Sequence, residues 1–203
     1  MIKCFFSPPG SGKTSVLTLI ARREYERAKK GKSKYWHIYT NYPCQDMLQI
    51  KLQDLGKYYV HDSLIILDEV TLDLDSRQWK EVSKGLKDFI CLHRHLNNDI
   101  IYAVQDWSRA EKTLREQTVE LYYLQRSPVP FFNRWVTAKR IFRKLTINEF
   151  SSEITLGYRF SDWIDALFQH CNQRFYLPKS WQYFDTNDTY GLDLRPEMPT
   201  KKW

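Results

Sequence analysis

The sequence predicts an α/β fold with a mainly parallel central sheet flanked by helices. A short apolar run at residues 2–6 leads through a loop of small residues into a helical pattern. A second apolar run at residues 64–67 ends in two acidic residues. Strand-like and helical patterns then alternate, which is typical of parallel sheets with crossover connections.

The strands are predicted from short apolar or aromatic runs that end at turn-forming residues. Residues 64–67 are continuously apolar, as expected of a strand buried on both faces of a parallel sheet. Asn41 and Pro43 close the run before them, and Asn97 precedes another run. The predicted strands cover residues 2–6, 35–40, 64–67, 100–104 and 119–124.

The helices are predicted where apolar residues recur at helical spacing. The first follows the small-residue loop and stops at Gly31, a residue type common just beyond helix ends. The second begins at Asp75 or Ser76 and continues through Phe89. Two more are predicted at residues 109–117 and near 163–168.

Residues 135–147 alternate in polarity and are rich in Lys and Arg. Because neither face of this stretch is cleanly apolar, we predict a basic β-hairpin at an edge of the sheet. Residues 1–150 are predicted to form one domain, and residues 151–203 a C-terminal extension packed on that same domain.

Composition excludes some classes of protein. The 203 residues are 42% hydrophobic and carry charges of both signs, which excludes intrinsic disorder as the main state. The net charge of +7 favours a polyanionic partner. No window contains the roughly 18 apolar residues of a membrane-spanning helix. The apolar run at the N-terminus is too short for a signal peptide, and the four scattered cysteines predict reduced thiols. The expected location is the cytoplasm, that of the host cell if the protein is viral. A peripheral position at the inner membrane is the alternative.

The loop after the first strand predicts a phosphate-binding site. Backbone N–H groups of small residues can surround phosphates at a helix N-terminus, Lys13 can bridge them, and the Thr14 hydroxyl can hold Mg²⁺. Ser7 stands where the full Walker A pattern has its first glycine, and the alternative is an ordinary turn before a helix. The predicted nucleotide-binding residues of this P-loop are Pro9, Gly10, Ser11, Gly12, Lys13, Thr14 and Ser15.

Asp68 and Glu69 supply a predicted Walker B motif. Both follow a buried strand, at the sheet edge where α/β proteins bind ligands. Asp68 is predicted to hold Mg²⁺ together with Thr14, and Glu69 to orient or deprotonate the attacking water. The sequence therefore predicts a P-loop NTPase that uses ATP and Mg²⁺.

Three further side chains are candidates for catalysis. Gln105 follows residues 100–104, so at a strand tip it could contact the γ-phosphate or the water; a solvated glutamine is the alternative. Arg109 and Arg115 lie on a predicted helix, and an arginine that reaches a neighbouring subunit's nucleotide would stabilise transition-state charge.

A basic stretch near the predicted hairpin is a candidate DNA-binding site. It carries five cations and no acid over residues 134–144, which suits contacts with phosphates. A solvated strand protected from aggregation by its charges is an equal alternative. The candidate residues are Arg134, Lys139, Arg140, Arg143 and Lys144.

The order of motifs resembles the zonular occludens toxin-like family of filamentous-phage assembly ATPases, which includes the gene I proteins. The resemblance covers about residues 1–125, with a weaker likeness at residues 183–186. It rests on Pro9-Gly10-Ser11-Gly12-Lys13-Thr14, Thr40-Asn41-Tyr42-Pro43, Leu67-Asp68-Glu69, Arg94-His95 leading to Asp99-Ile100-Ile101 and Gln105, and Arg115. Ser7 departs from the family pattern, and these 203 residues predict no counterpart of the transmembrane helix that many members carry after their ATPase part.

The resemblance implies an oligomeric ATPase of the FtsK–HerA class. Gln105 would occupy the sensor position of that class and Arg115 its arginine finger. The implied function is Mg²⁺-dependent ATP hydrolysis that drives packaging, translocation or virion assembly of phage or plasmid DNA in a homo-oligomeric ring.

Two alternatives of other kinds remain. One is an ATP-dependent scaffold that recruits coat or membrane proteins without translocating DNA. The other is a small-molecule kinase, which shares Gly12, Lys13 and Thr14; the Asp68-Glu69 pair suits hydrolysis better.

Overall fold

The computed structural model describes residues 1–70, 79–110, 112–129, 132–147, 154–162, 164–165 and 171–184. Within these ranges nine strands form one sheet. The strands are β1 (Ile2–Phe6), β2 (His37–Thr40), β3 (Leu48–Gln49), β4 (Ser63–Leu67), β5 (Asp99–Val104), β6 (Thr118–Arg126), β7 (Trp135–Ile147), β8 (Ile154–Phe160) and β9 (Gln173–Tyr176). The helices are α1 (Lys13–Lys29), α2 (Trp79–Leu92) and α3 (Lys112–Gln117).

The strand order is β3-β2-β4-β5-β1-β6-β7-β8, and β9 pairs with β7. The pairs from β3 through β6 are parallel, and those that β7 makes with β6, β8 and β9 are antiparallel. The fold is therefore the predicted α/β P-loop fold with a mainly parallel sheet. Because β5 lies between β1 and β4, the carboxyl ends of these three strands are adjacent.

Apolar clusters cover both faces of the sheet. On one face, Val16, Leu17 and Ala21 of α1 pack against the sheet. On the other, a cluster includes Phe89 of α2 and Leu114 of α3. All five residues of β4 are buried, because successive side chains point to opposite faces and both faces are covered.

Most predicted elements are confirmed, with two corrected boundaries. The strand predicted at residues 35–40 begins at His37. The helix predicted at residues 109–117 begins at Lys112, because Asp106 accepts a hydrogen bond from the backbone N–H of Ser108 and caps a separate 3-10 turn. The predicted start of the second helix lies outside the described residues, as does most of the helix predicted near 163–168.

The prediction that residues 135–147 lie at a sheet edge is wrong. β7 pairs with β6 on one side and with β9 and β8 on the other. Val136 and Ala138 are fully buried against the α1 face. The sequence pattern misleads because the strands that cover β7 come from later in the chain. The division into residues 1–150 and 151–203 stays a prediction.

No helix within the described ranges is long and apolar enough to span a membrane.

Gly56 makes the closest backbone approach among the described glycines. Its φ is +87°, and a Cβ there would lie 2.2 Å from the carbonyl oxygen of Gly85 in α2. We expect Gly56→Ala to lower the free energy of unfolding by about 2–5 kcal/mol, because strain at positive φ adds to a clash between two backbones. Urea denaturation monitored by circular dichroism measures this.

Gly31→Ala is the matched control for Gly56→Ala. Gly31 also has positive φ, +65°, but a Cβ there would meet no atom within 4 Å. It should therefore cost only the backbone strain, about 1 kcal/mol. Equal losses in the two variants would contradict the role of the close approach to Gly85.

Candidate active site

The loop Ser7–Gly12 joins β1 to α1 in a conformation that depends on two glycines. Gly10 has φ +73° and Gly12, the residue before the first turn of α1, has φ +94°. A side chain at Gly12 would also meet Leu177, whose Cδ1 lies 2.8 Å from the Cβ position. The first turn of α1 carries no acidic side chain, so its N–H groups and positive dipole end are available to an anion.

Ser7 fits the place of the usual first glycine. Among the described residues, positive φ outside glycine occurs at Asp46, Asp62, Glu69 and Asn97, so the backbone at Ser7 does not require glycine. The Ser7 side chain is fully buried and shares a hydrogen bond with the Ser11 hydroxyl. Ser11 also donates to the Pro8 carbonyl at 2.8 Å, so both hydroxyls brace the loop.

Lys13 points back into the loop. Its Nζ donates to the carbonyl oxygens of Ser7 at 3.0 Å and Pro8 at 3.2 Å, and only 6% of the residue is exposed. Burial lowers the pKa of the Lys13 ammonium, and the nearby carboxylates of Asp68 and Glu69 partly offset that effect. The loop thus holds a cation at its centre, as phosphate binding requires.

Asp68 and Thr14 meet where β4 ends and α1 begins. The Thr14 hydroxyl donates to Asp68 Oδ2, and the backbone N–H of Glu69 donates to Asp68 Oδ1 at 3.0 Å. Burial raises the pKa of the Asp68 carboxyl, while the Thr14 hydrogen bond lowers it. A buried carboxylate beside a hydroxyl is a donor set suited to Mg²⁺, which prefers oxygen ligands. These two residues therefore fit the predicted metal site.

Asn41, at the tip of β2, holds the backbone of Asp68 from the other side. Its Nδ2 donates to the Asp68 carbonyl oxygen at 2.8 Å, and its Oδ1 accepts from the Asp68 N–H at 2.6 Å. The Asn41 backbone N–H also donates to the Ile66 carbonyl at 3.2 Å. The side-chain amide thus pairs with both peptide groups of Asp68 and fixes the backbone from which its carboxylate extends.

We expect Asn41→Ala to slow the predicted ATP hydrolysis at least tenfold and to lower the free energy of unfolding by about 1–3 kcal/mol, because two hydrogen bonds to the Asp68 backbone are lost. Asn41→Asp keeps an acceptor for the Asp68 N–H and loses the donor, so its comparison with Asn41→Ala isolates the bond to the Asp68 carbonyl oxygen. Steady-state turnover per folded protein and urea denaturation measure both effects. Wild-type turnover in a destabilised Asn41→Ala would show that Asn41 supports only the fold.

Glu69 and Gln105 face each other across the tips of β4 and β5. Glu69 is in the left-handed region, φ +48°, which turns the chain away from the strand. Gln105 Nε2 donates to Glu69 Oε1 at 3.2 Å. The Gln105 amide therefore contacts the carboxylate that is expected to act on water. The two residues are 36 positions apart in the chain, so no local sequence pattern predicts this contact.

The structure brings Lys13, Thr14, Asp68, Glu69 and Gln105 to one edge of the sheet, whereas Arg115 lies at the opposite edge. Arg115 is in the last turn of α3, and α3 leads directly into β6. The first residue of β6, Thr118, pairs with Ile2 at the start of β1. Parallel strands begin at one edge and end at the other. Arg115 therefore does not belong to the phosphate site of its own chain.

The five basic candidates do not form one surface. Alternation along β7 puts Lys139 and Arg143 on one face and Arg140 and Lys144 on the other. The guanidinium of Arg140 lies 3.7 Å from the carboxylate oxygen Oε1 of Glu120. The guanidinium of Arg143 donates hydrogen bonds to the carbonyl oxygens of Arg115 and Thr118. Arg134 and Lys144 are exposed.

Sequence reasoning missed two contributors to this site. The sequence indicates Asn41 only as a turn residue and as part of the family motif. Its position directly after a strand-like run is the feature that could have placed it at the phosphate site. Leu177 packs on Gly12 from 165 positions away in the chain, and its backbone N–H donates to the Arg134 carbonyl at 2.9 Å. No local pattern could predict that contact.

Comparisons with known proteins give a family model and structural matches. The model described as zonular occludens toxin (Zot) matches residues 25–150, a range that includes Asp68, Glu69, Gln105 and Arg115. No curated protein matches the chain. The crystal structure of the N-terminal domain of zonular occludens toxin from Neisseria meningitidis is 16% identical, with a TM-score of 0.54 over 91% of this chain and 98% of that one. This likeness shows the fold.

A more distant match is B204, the DNA-packaging ATPase of Sulfolobus turreted icosahedral virus. It is 13% identical, with a TM-score of 0.44 over 76% of this chain and 95% of that one.

Proposed function

The chain belongs to the zonular occludens toxin (Zot) family, and from that premise we propose that it is a Mg²⁺-dependent P-loop ATPase that drives DNA packaging, translocation or virion assembly. The observation that carries the ATPase proposal is the convergence at one sheet edge of a buried Lys13, the Thr14–Asp68 pair and the Glu69–Gln105 pair. Each supplies a different function that phosphoryl transfer to water needs.

Each residue of the site has a distinct role in the proposed hydrolysis. Backbone N–H groups from Gly10 to Ser15 bind the phosphates, and the Lys13 ammonium moves from the carbonyl oxygens of Ser7 and Pro8 to the phosphate oxygens. Thr14 and Asp68 would hold Mg²⁺, which when bound would neutralise charge on the phosphate oxygens. The Glu69 carboxylate accepts a proton from the attacking water. Gln105, bonded to Glu69, orients that carboxylate and senses the γ-phosphate.

We infer a homo-oligomeric ring in which Arg115 acts on the nucleotide of the adjacent subunit. The position of Arg115 at the edge opposite its own phosphate site supports action between chains rather than within one. The proposed substrate of the motor is DNA of phage or plasmid origin. The net charge of +7 on the chain favours binding to this polyanion. Arg134, Arg143 and Lys144 are the exposed members of the proposed DNA-contacting set. The proposed location is the cytoplasm or the inner face of the inner membrane.

The proposed function is tested by ATP hydrolysis measured across protein concentration, with and without single- and double-stranded DNA. An oligomeric motor requires turnover per subunit that rises with concentration and is stimulated by DNA. Turnover that is indifferent to DNA would favour the scaffold that recruits coat or membrane proteins. Absence of nucleotide binding would reject both the motor and the ATP-dependent scaffold.

The proposed role of Arg115 has its own test. Arg115→Ala and Glu69→Gln subunits should each be inactive alone, and their mixture should recover activity because each Arg115→Ala site can receive an intact arginine from a Glu69→Gln neighbour. Arg27→Ala is the matched control, since Arg27 has a 55% exposed side chain in the last turn of α1. An inactive mixture that still forms oligomers would reject Arg115 as a residue acting between subunits.

A further inference from the structure

Exposed aromatic rings cluster at the sheet edge opposite the phosphate site. We refer to Trp36, Tyr58, Tyr59 and His61 as the aromatic platform. The first three side chains are 74%, 68% and 79% exposed. The His61 ring lies between two of them, with its centroid 6.2 Å from that of Trp36 and 5.1 Å from that of Tyr59. The contacts of His61 make Trp36, His61 and Tyr59 one continuous group of rings, and such a group at the surface indicates a binding site.

The platform is held in place by its surroundings. His61 Nδ1 and Asp62 Oδ2 are hydrogen-bonded at 2.8 Å, and Asn97 Nδ2 donates to the other Asp62 oxygen at 3.0 Å. The Trp36 backbone N–H donates to the Asp62 carbonyl at 2.7 Å. Asp62 itself has φ +46°, a conformation that β-strands do not use. These bonds join the two chain segments that carry the rings.

Cations accompany both segments. Lys57 directly precedes Tyr58 and is exposed, and Lys34 stands two residues before Trp36. Residues 28–37 contain four lysines and no acid. The nearby Asp62 carboxylate is already bonded to His61 and Asn97, and Asp99 binds Lys34 at 2.7 Å. The local charge therefore favours an anionic partner with flat apolar groups.

We propose that the aromatic platform binds single-stranded nucleic acid, with unpaired bases stacked on Trp36 and Tyr59 and phosphates bound by the exposed Lys57. Aromatic side chains stack on any exposed base, and lysines contact the backbone without reading sequence. A duplex buries the faces of its bases within its own stack, so it offers nothing to these rings. The proposal rests on the proposed function for its setting, and it names the strand form that the motor would contact.

The test measures fluorescence anisotropy of labelled oligodeoxythymidylate with the full chain. Trp36→Ala and Tyr59→Ala should each weaken binding about tenfold, the scale of one base–aromatic stack. Trp36→Phe should restore most of the affinity, because a flat ring is kept. Trp181→Ala is the matched control, since Trp181 is a 54% exposed tryptophan elsewhere. A strand of equal phosphate number without bases should bind wild type and variants equally.

Other results would overturn the proposal. Unchanged oligodeoxythymidylate binding in the Trp36→Ala and Tyr59→Ala variants would reject it. Loss of the oligomer in those variants, measured by light scattering, with strand binding retained would instead identify the platform as a subunit interface. Basal ATP hydrolysis should stay at the wild-type level in both variants, and Lys13→Ala should still bind the strand. Strand binding without any ATP hydrolysis would therefore reject the proposed function and leave this inference standing.

Discussion

Glu69→Gln is expected to slow ATP hydrolysis by about 10²–10⁴-fold while ATP binding stays at the wild-type level. The substitution keeps the size of the side chain and an oxygen that can still accept from Gln105 Nε2. It removes the negative charge, and with it the ability to take a proton from water. The P-loop and the Thr14–Asp68 pair are untouched, so the phosphates and Mg²⁺ should bind as before.

Two measurements check this expectation. Single-turnover hydrolysis of radiolabelled ATP reports the chemical step, and titration with a fluorescent ATP analogue reports binding. Gln105→Ala is the companion variant, which should slow hydrolysis less than Glu69→Gln because it leaves the carboxylate in place. A Glu69→Gln protein that turns over at the wild-type rate would show that another group accepts the proton.

Lys13→Ala is expected to weaken ATP binding at least a hundredfold and to reduce hydrolysis below detection. The Lys13 ammonium is the cation at the centre of the loop, and its removal leaves the phosphates with only N–H groups and the helix dipole. The fold should survive the change. Burial disfavours the charged ammonium and lowers the Lys13 pKa, so its removal relieves a desolvation cost that offsets part of the two lost hydrogen bonds.

Lys30→Ala is the matched control for Lys13→Ala, because Lys30 is an exposed lysine at the other end of the same helix. It should bind ATP like the wild type. Isothermal titration with ATP and Mg²⁺ measures affinity, and thermal unfolding checks that each variant is folded. Wild-type affinity in a folded Lys13→Ala would remove Lys13 from the proposed site.

Together the two substitutions separate binding from chemistry. Lys13→Ala should fail at the first step and Glu69→Gln only at the second. A Glu69→Gln chain that holds ATP also provides a stable ATP-bound form, in which oligomer formation can be compared with that of the Lys13→Ala chain. A ring that forms only in the ATP-bound variant would connect assembly to nucleotide binding.

Local features of the sequence determined the elements around the site. Residues 64–67 predicted β4 because a continuous apolar run satisfies burial on both faces, and the loop before α1 was evident from its glycines. Lys13 and the Asp68-Glu69 pair were identified because each follows directly from such an element. Hydrophobic period and turn chemistry act within about a dozen residues, so a single sequence displays them.

The tertiary structure alone decided which elements are neighbours. The insertion of β5 between β1 and β4 brings Gln105 to Glu69, and the pairing of β2 with β4 brings Asn41 to the backbone of Asp68. The late strands β8 and β9 turned β7 from a predicted edge into an interior strand. Strand pairing depends on side chains from distant segments packing together as one core. Its outcome is therefore a property of the whole chain, which local pattern does not contain.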